Sequence, residues 1–177
     1  MIAFISGGAR SGKSAVAESL ALEWQRVRAG GLYYLATARV SDGEMGERIA
    51  RHRHSRGPSW TTLEAPVDIA AALAQVESGS TLLLDCLTLW ASQWLYDSAL
   101  DETQGEAMMR ALLEEARARG IALVIVSNDI NEGQPPTDDE TWRYLAFLQR
   151  IHRLVAKEAD EVIQIVAGLA QTWKRAQ

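Results

Sequence analysis

The sequence predicts an α/β fold, a mainly parallel sheet with helices on both faces. Three observations predict it. Short apolar runs recur along the chain, segments with helical spacing separate most of them, and the runs are nearly continuous rather than alternating in polarity. Strands buried on both faces read this way, because neither side of the pleat meets water.

The elements follow in order. Ile2–Ser6 is an apolar strand that runs into glycines, and Lys13–Arg28 has helical spacing. Leu32–Ala36 is the second strand. A helix is expected over Asp42–His54, because Ser41-Asp42-Gly43-Glu44 has the S-x-x-E form of a capping box, in which hydroxyl and carboxylate each satisfy a free amide. Val67–Gln75 reads as helix, Thr81–Cys86 as strand, and Thr88–Leu95 and Thr103–Arg119 as helices. Ile121–Ser127 is a strand, Glu140–Ala159 a helix and Glu161–Val166 a last strand. No repeat, low-complexity tract or linker breaks the series, so a single domain over residues 1–177 is expected. A chain of this length buries a core without staples.

Composition narrows the function. The formal net charge is -5, and no basic, aromatic-rich strip is present, which argues against a nucleic-acid partner. Cys86 is the only cysteine, which excludes an intrachain disulfide and a cysteine-rich zinc site; it reads as a small buried hydrophobe. The first residues lack a basic segment followed by an apolar stretch, and no run approaches a membrane span. A cytoplasmic protein without a membrane span is expected.

Gly7-Gly8-Ala9-Arg10-Ser11-Gly12-Lys13-Ser14 fits G-x-x-x-x-G-K-[ST] in full, between an apolar strand and a helical segment. The glycines let the backbone curl until successive N–H groups point inward at phosphate oxygens. The helix that follows offers its N-terminus to the same anion. Lys13 reaches the β- and γ-phosphates on this reading, and Ser14 ligates Mg²⁺. The chain is therefore expected to be a P-loop NTPase-type nucleotide-binding domain. Asp85, which ends the run Thr81–Leu84, is either the second Mg²⁺ ligand or the cap of the next helix. Asn128–Thr141 is polar, acidic and interrupted by Gly133, Pro135 and Pro136. It follows a strand, at the end of the sheet where ligands bind, and is either a lid or an exposed connection.

Arg48, His52 and Arg56 are spaced by four, with Arg53 beside them, so a helix continued to Arg56 carries them as one stripe. Neighbouring cations keep an imidazole neutral. A neutral ring nitrogen can attack an α-phosphate while the arginines stabilise charge on the phosphoryl oxygens. Taken alone the residues fit a solvated helix with Glu44–Arg48 and Glu47–Arg51 pairs better. On the same basis His54 and His152 are structural or exposed.

The ordered blocks Gly7–Ser14, Tyr34–Ala38, Asp42–Arg56, Trp60–Pro66 and Leu83–Trp90 together resemble the adenosylcobinamide kinase/adenosylcobinamide-phosphate guanylyltransferase family. The resemblance is dense in the first half, resumes at Val126-Ser127-Asn128 and thins toward Gly168. It implies two reactions. A nucleoside triphosphate, ATP or GTP, phosphorylates adenosylcobinamide. GTP then transfers GMP to a histidine, which passes it to adenosylcobinamide phosphate. The family's guanylylated histidine falls on His52. Its nucleotide contacts fall on Gly7–Ser14, Ala36, Thr37, Ala38, Arg53, His54, Ser55, Arg56, Glu64 and Asp85. Glu64 is open between accepting from a guanine base and assisting Mg²⁺. The family also implies a homotrimer.

The second half departs from the family pattern at Asn131, where it has a glycine, and at Tyr144-Leu145-Ala146, where it has F-R-D. Gln149, His152 and Arg153 replace a later glycine, asparagine and glutamine. Two other functions remain open on the residues: a small-molecule kinase without transferase activity, and a P-loop module in which nucleotide switches a partner interaction.

Overall fold

A computed structural model of the chain describes residues 1–38, 58–130 and 136–175. The strands are β1 (Ile2–Gly7), β2 (Leu32–Ala36), β3 (Trp60–Glu64), β4 (Thr81–Asp85), β5 (Ala122–Asn128), β6 (Glu161–Val166) and β7 (Leu169–Arg175). The helices are α1 (Lys13–Arg26), α2 (Ile69–Ala74), α3 (Leu87–Asp97), α4 (Glu102–Ala118) and α5 (Asp139–Glu158). The helix expected over Asp42–His54 lies outside the described residues.

All the strands join one sheet in the order β3-β2-β4-β5-β1-β6-β7, parallel throughout except for β7, which runs antiparallel to β6. Two of these strands are not legible as buried runs. β3 is a sheet edge with partly exposed, polar positions. β7 is exposed along its whole length and follows a two-residue turn, with Ala167 at φ 51° and Gly168 at φ 83°. Positive φ at both central positions matches the twist of a tight hairpin.

The period of two along each strand divides the core. Ala3 and Ile5 face α1, together with Tyr34, Leu83, Val124 and Val126, and meet Ala17, Ala21 and Trp24 of that helix. Ile2 and Phe4 face the opposite way with Leu35, Leu82, Leu84, Leu123 and Ile125, under α2 to α5. Trp90 is the hub of that layer, its ring 5.5 Å from Trp94 and 6.2 Å from Phe147. The indole N–H groups stay satisfied, with Trp90 donating to Val67 O at 2.9 Å and Trp94 to Asp101 O at 2.8 Å.

His152 of α5 is drawn into this layer. Its Nε2 lies 2.7 Å from Ser127 Oγ and its ring 5.3 Å from Phe4. Burial holds its pKa down at about 4, against a weaker upward pull from Asp129. The unfolded chain therefore binds a proton that the folded chain refuses between about pH 6.5 and about pH 4. Stability is expected to be undiminished above that window and to fall through it as the pH drops, by on the order of 3 kcal/mol. Urea titrations across the window check this, and His152→Gln should flatten the slope.

Candidate nucleotide site

Three of the helices open on side-chain caps. Asp68 accepts from Ala71 N on α2, Asp138 from Thr141 N on α5, and Asp101 shares a capping box with Gln104 on α4. α1 and α3 have none, and neither carries an acidic residue in its first turn. Both begin at the carboxyl ends of strands, α1 after β1 and α3 directly after β4. Each therefore leaves free N–H groups and a positive dipole end at the carboxyl edge of the sheet, which favours an anion there.

The loop into α1 has the curl the sequence predicts. Arg10 takes φ 58° and Gly12 φ 92°. Ser11 N donates to Gly8 O at 3.3 Å, and Lys13 Nζ donates to the same carbonyl at 3.0 Å. The Lys13 side chain is buried, and Ser11 Oγ is buried without a hydrogen-bond partner among the described residues. An incoming phosphate supplies acceptors for such donors. The hairpin turn closes in beside the loop: a Cβ on Gly12 would sit 4.0 Å from Gly168 Cα.

Gly7 is required by close approach. A Cβ there would lie 2.6 Å from Ile165 O and 2.7 Å from Ser11 Oγ. The carbonyl belongs to β6 and cannot swing away. Gly7→Ala is expected to cost about 1–3 kcal/mol in a urea titration and to weaken nucleotide binding measured by calorimetry.

Asp85 ends β4 on the sheet face that α1 covers, since it is two residues beyond Leu83. It does not cap α3. The N-cap is Cys86, turned to φ 67° and without a side-chain cap bond. The carboxylate is instead held by Tyr34, whose hydroxyl donates to Asp85 Oδ2. Thr37 Oγ1 lies 2.7 Å from Asp85 O and 3.0 Å from Cys86 O, and Gln93 Nε2 donates to Thr37 O at 2.7 Å. Burial, then the Asp85 charge, push the Cys86 thiol up, so it stays protonated. On the other side of β4, Asn128 donates from its backbone N and its Nδ2 to Thr88 Oγ1, at 3.1 and 3.2 Å.

The sheet brings the expected residues into one row. Ala36 is paired with Glu64 on one side and with Asp85 on the other, and Gly7 with Asn128. Ala38 follows the same strand end as Thr37. Gly7 to Ser14 stand beyond β5, which separates β1 from β4. His52, Arg53, His54, Ser55 and Arg56 lie outside the described residues. Sequence reasoning gave no role to Tyr34, Thr88 or Gln93, and placed Asn128 only at the start of the acidic lid or connection. The available signals were a polar atom inside the apolar run of β2 and an amide inside the apolar stretch of α3.

Among the described residues no three His, Cys, Asp or Glu side chains gather as a metal cage. The donors at hand are the Ser14 hydroxyl and the Asp85 carboxylate. Mg²⁺ suits that set, since it takes few protein oxygens and completes its shell with phosphate and water.

Fold and loop together define a P-loop NTPase-type nucleotide-binding protein. Solved structures share the architecture at low sequence identity. A KaiC-like protein from Pyrococcus horikoshii superposes with a TM-score of 0.55 at 10% identity, covering 92% of this chain and 69% of that one. The flagellar accessory protein FlaH from Methanocaldococcus jannaschii gives 0.55 at 11%, covering 99% and 78%. The chain belongs to the cobinamide kinase/cobinamide phosphate guanyltransferase family, whose model matches residues 3–173. It is 40% identical over 171 residues to the bifunctional adenosylcobalamin biosynthesis protein CobP of Pseudomonas aeruginosa, covering 96% of this chain and 95% of that protein. It is 29% identical over 181 residues to CobU of Escherichia coli, covering 96% and 97%. The chain is accordingly a kinase and guanylyltransferase of cobalamin biosynthesis.

Proposed function

We propose that the chain phosphorylates adenosylcobinamide with a nucleoside triphosphate held in the P-loop, and then carries GMP from GTP to adenosylcobinamide phosphate on His52. The observation that carries the reading is the uncapped start of α1 behind a curled glycine loop, with the Lys13 ammonium lying along that loop. In the first reaction the substrate hydroxyl attacks the γ-phosphorus and the nucleoside diphosphate leaves. The loop amides and Lys13 neutralise charge on the phosphoryl oxygens. Ser14 and Asp85 would hold Mg²⁺, which supplies charge neutralisation between the phosphates when bound.

In the second reaction a neutral His52 nitrogen attacks the α-phosphorus of GTP. The bond to the β-phosphate oxygen breaks and pyrophosphate leaves. A phosphate oxygen of adenosylcobinamide phosphate then attacks the same phosphorus and breaks the P–N bond, which returns the imidazole and gives adenosylcobinamide-GDP. Arg53, His54, Ser55, Arg56, Ala36, Ala38 and Glu64 are the nucleotide contacts that family resemblance supplies. Glu64 ends β3, level with Ala36, where its carboxylate either accepts from guanine N–H donors or assists Mg²⁺. Residues 1–177 act as one nucleotide-binding domain, in a cytoplasmic homotrimer.

Incubation with GTP labelled at the α-phosphate tests the reading. A protein-bound label that is lost in acid and survives base is expected. An active cobinamide kinase that takes up no label would leave a kinase without transferase chemistry.

A further inference from the structure

We infer that Tyr34 and Thr37 are positioning residues that fix the Asp85 carboxylate for the metal–nucleotide complex. The inference rests on the reading of Asp85 as a Mg²⁺ ligand. Tyr34 is buried on β2 and paired with Leu83 in register. Its side chain points to the α1 side, packs edge-on against Trp60 with ring centres 6.2 Å apart, and reaches up the strand to Asp85. Its hydroxyl has committed its one proton to Asp85 Oδ2. The bond restrains the carboxylate through Oδ2, and a cation or its water would be taken by the other oxygen.

Thr37 works on the main chain of the same residue. It is buried to 1% exposure, and its hydroxyl is shared between the carbonyls of Asp85 and Cys86. Cys86 sits at φ 67°, a conformation that is strained for a non-glycine residue and persists only where its surroundings enforce it. Thr37 supplies that enforcement, and Gln93 anchors Thr37 in turn from within α3. Family resemblance places Thr37 among nucleotide contacts; in this structure its hydroxyl is spent on holding the turn that aims Asp85.

The test is Mn²⁺ binding, read by electron paramagnetic resonance, to the full-length protein carrying a non-hydrolysable GTP analogue. Tyr34→Phe is expected to weaken Mn²⁺ about tenfold, the scale of one charge-assisted hydrogen bond, with nucleotide affinity in the absence of metal within about twofold. Thr37→Val is expected to weaken Mn²⁺ similarly, and Thr37→Ser, which keeps the hydroxyl, to restore it. A thermal melt of each variant confirms that it is folded. Unchanged or tighter Mn²⁺ binding in folded Tyr34→Phe would overturn the inference, as would Thr37→Val and Thr37→Ser behaving alike. Asp85→Asn separates the two levels: if it leaves Mn²⁺ affinity intact, the metal role of Asp85 itself fails and the inference falls with it. None of these readouts depends on transferase activity.

Discussion

Lys13→Ala is expected to lower kcat/KM for cobinamide phosphorylation and for GMP transfer by about a thousandfold each, or about 4 kcal/mol of transition-state stabilisation. The reason is where the ammonium sits. It is buried to 9% exposure and lies 3.0 Å from Gly8 O, inside the curl of the loop. A charge in such a place acts across a short, water-poor distance, where electrostatic stabilisation exceeds what a surface lysine provides. The other donors of the loop, its backbone amides and the Ser11 hydroxyl, are left intact by the substitution, so nucleotide binding should weaken less than turnover. Lys13→Arg is not expected to restore activity, because a planar guanidinium needs space that the loop does not offer. Steady-state kinetics with calorimetry of ATP and GTP binding measure both effects, and a melting curve shows whether the fold persists. Near-normal turnover in either reaction would mean that reaction does not use the P-loop.

His52→Ala is expected to abolish the acid-labile label from α-labelled GTP while leaving cobinamide phosphorylation within a few-fold of normal. The two reactions differ in which phosphorus is attacked. In the kinase step the substrate's hydroxyl attacks the γ-phosphorus. That step needs positioning and charge, which Lys13 and the loop provide. The transferase step needs a protein nucleophile at the α-phosphorus, and removal of the imidazole leaves no atom to form the P–N bond. Replacing the arginine at 53 or 56 by alanine should slow labelling without abolishing it, since those groups stabilise charge and form no bond. Label retained in His52→Ala would move the nucleophile elsewhere.

Much of the fold was written into local pattern. Ile2–Ser6, Leu32–Ala36, Thr81–Cys86 and Ile121–Ser127 read as mainly apolar runs because they are central or near-central strands, and each strand falls within a residue or so of its run. The P-loop was legible for a related reason: its chemistry lies in consecutive backbone amides, so its specification is contiguous in sequence. The strands that escaped detection are the sheet's two edges, β3 and β7, where partial exposure removes the apolar signal.

The rest was decided only by tertiary structure. Asp85 does not cap a helix but lies on the α1 face of the sheet, bonded to Tyr34 and next to the sharp turn at Cys86, which is held by Thr37, 49 positions away in sequence. His152 carried no chemical signal, yet its half-buried position against Phe4 and Ser127 keeps the ring neutral. Tyr34 meets Asp85 because β2 and β4 are neighbours in the sheet. Sequence by itself determined the central strands, the helix faces and the phosphate loop, because these depend on spacing within a few residues. Strand order determined which distant polar groups became partners, because buried hydrogen-bonding groups must find a mate among whatever the packing brings near.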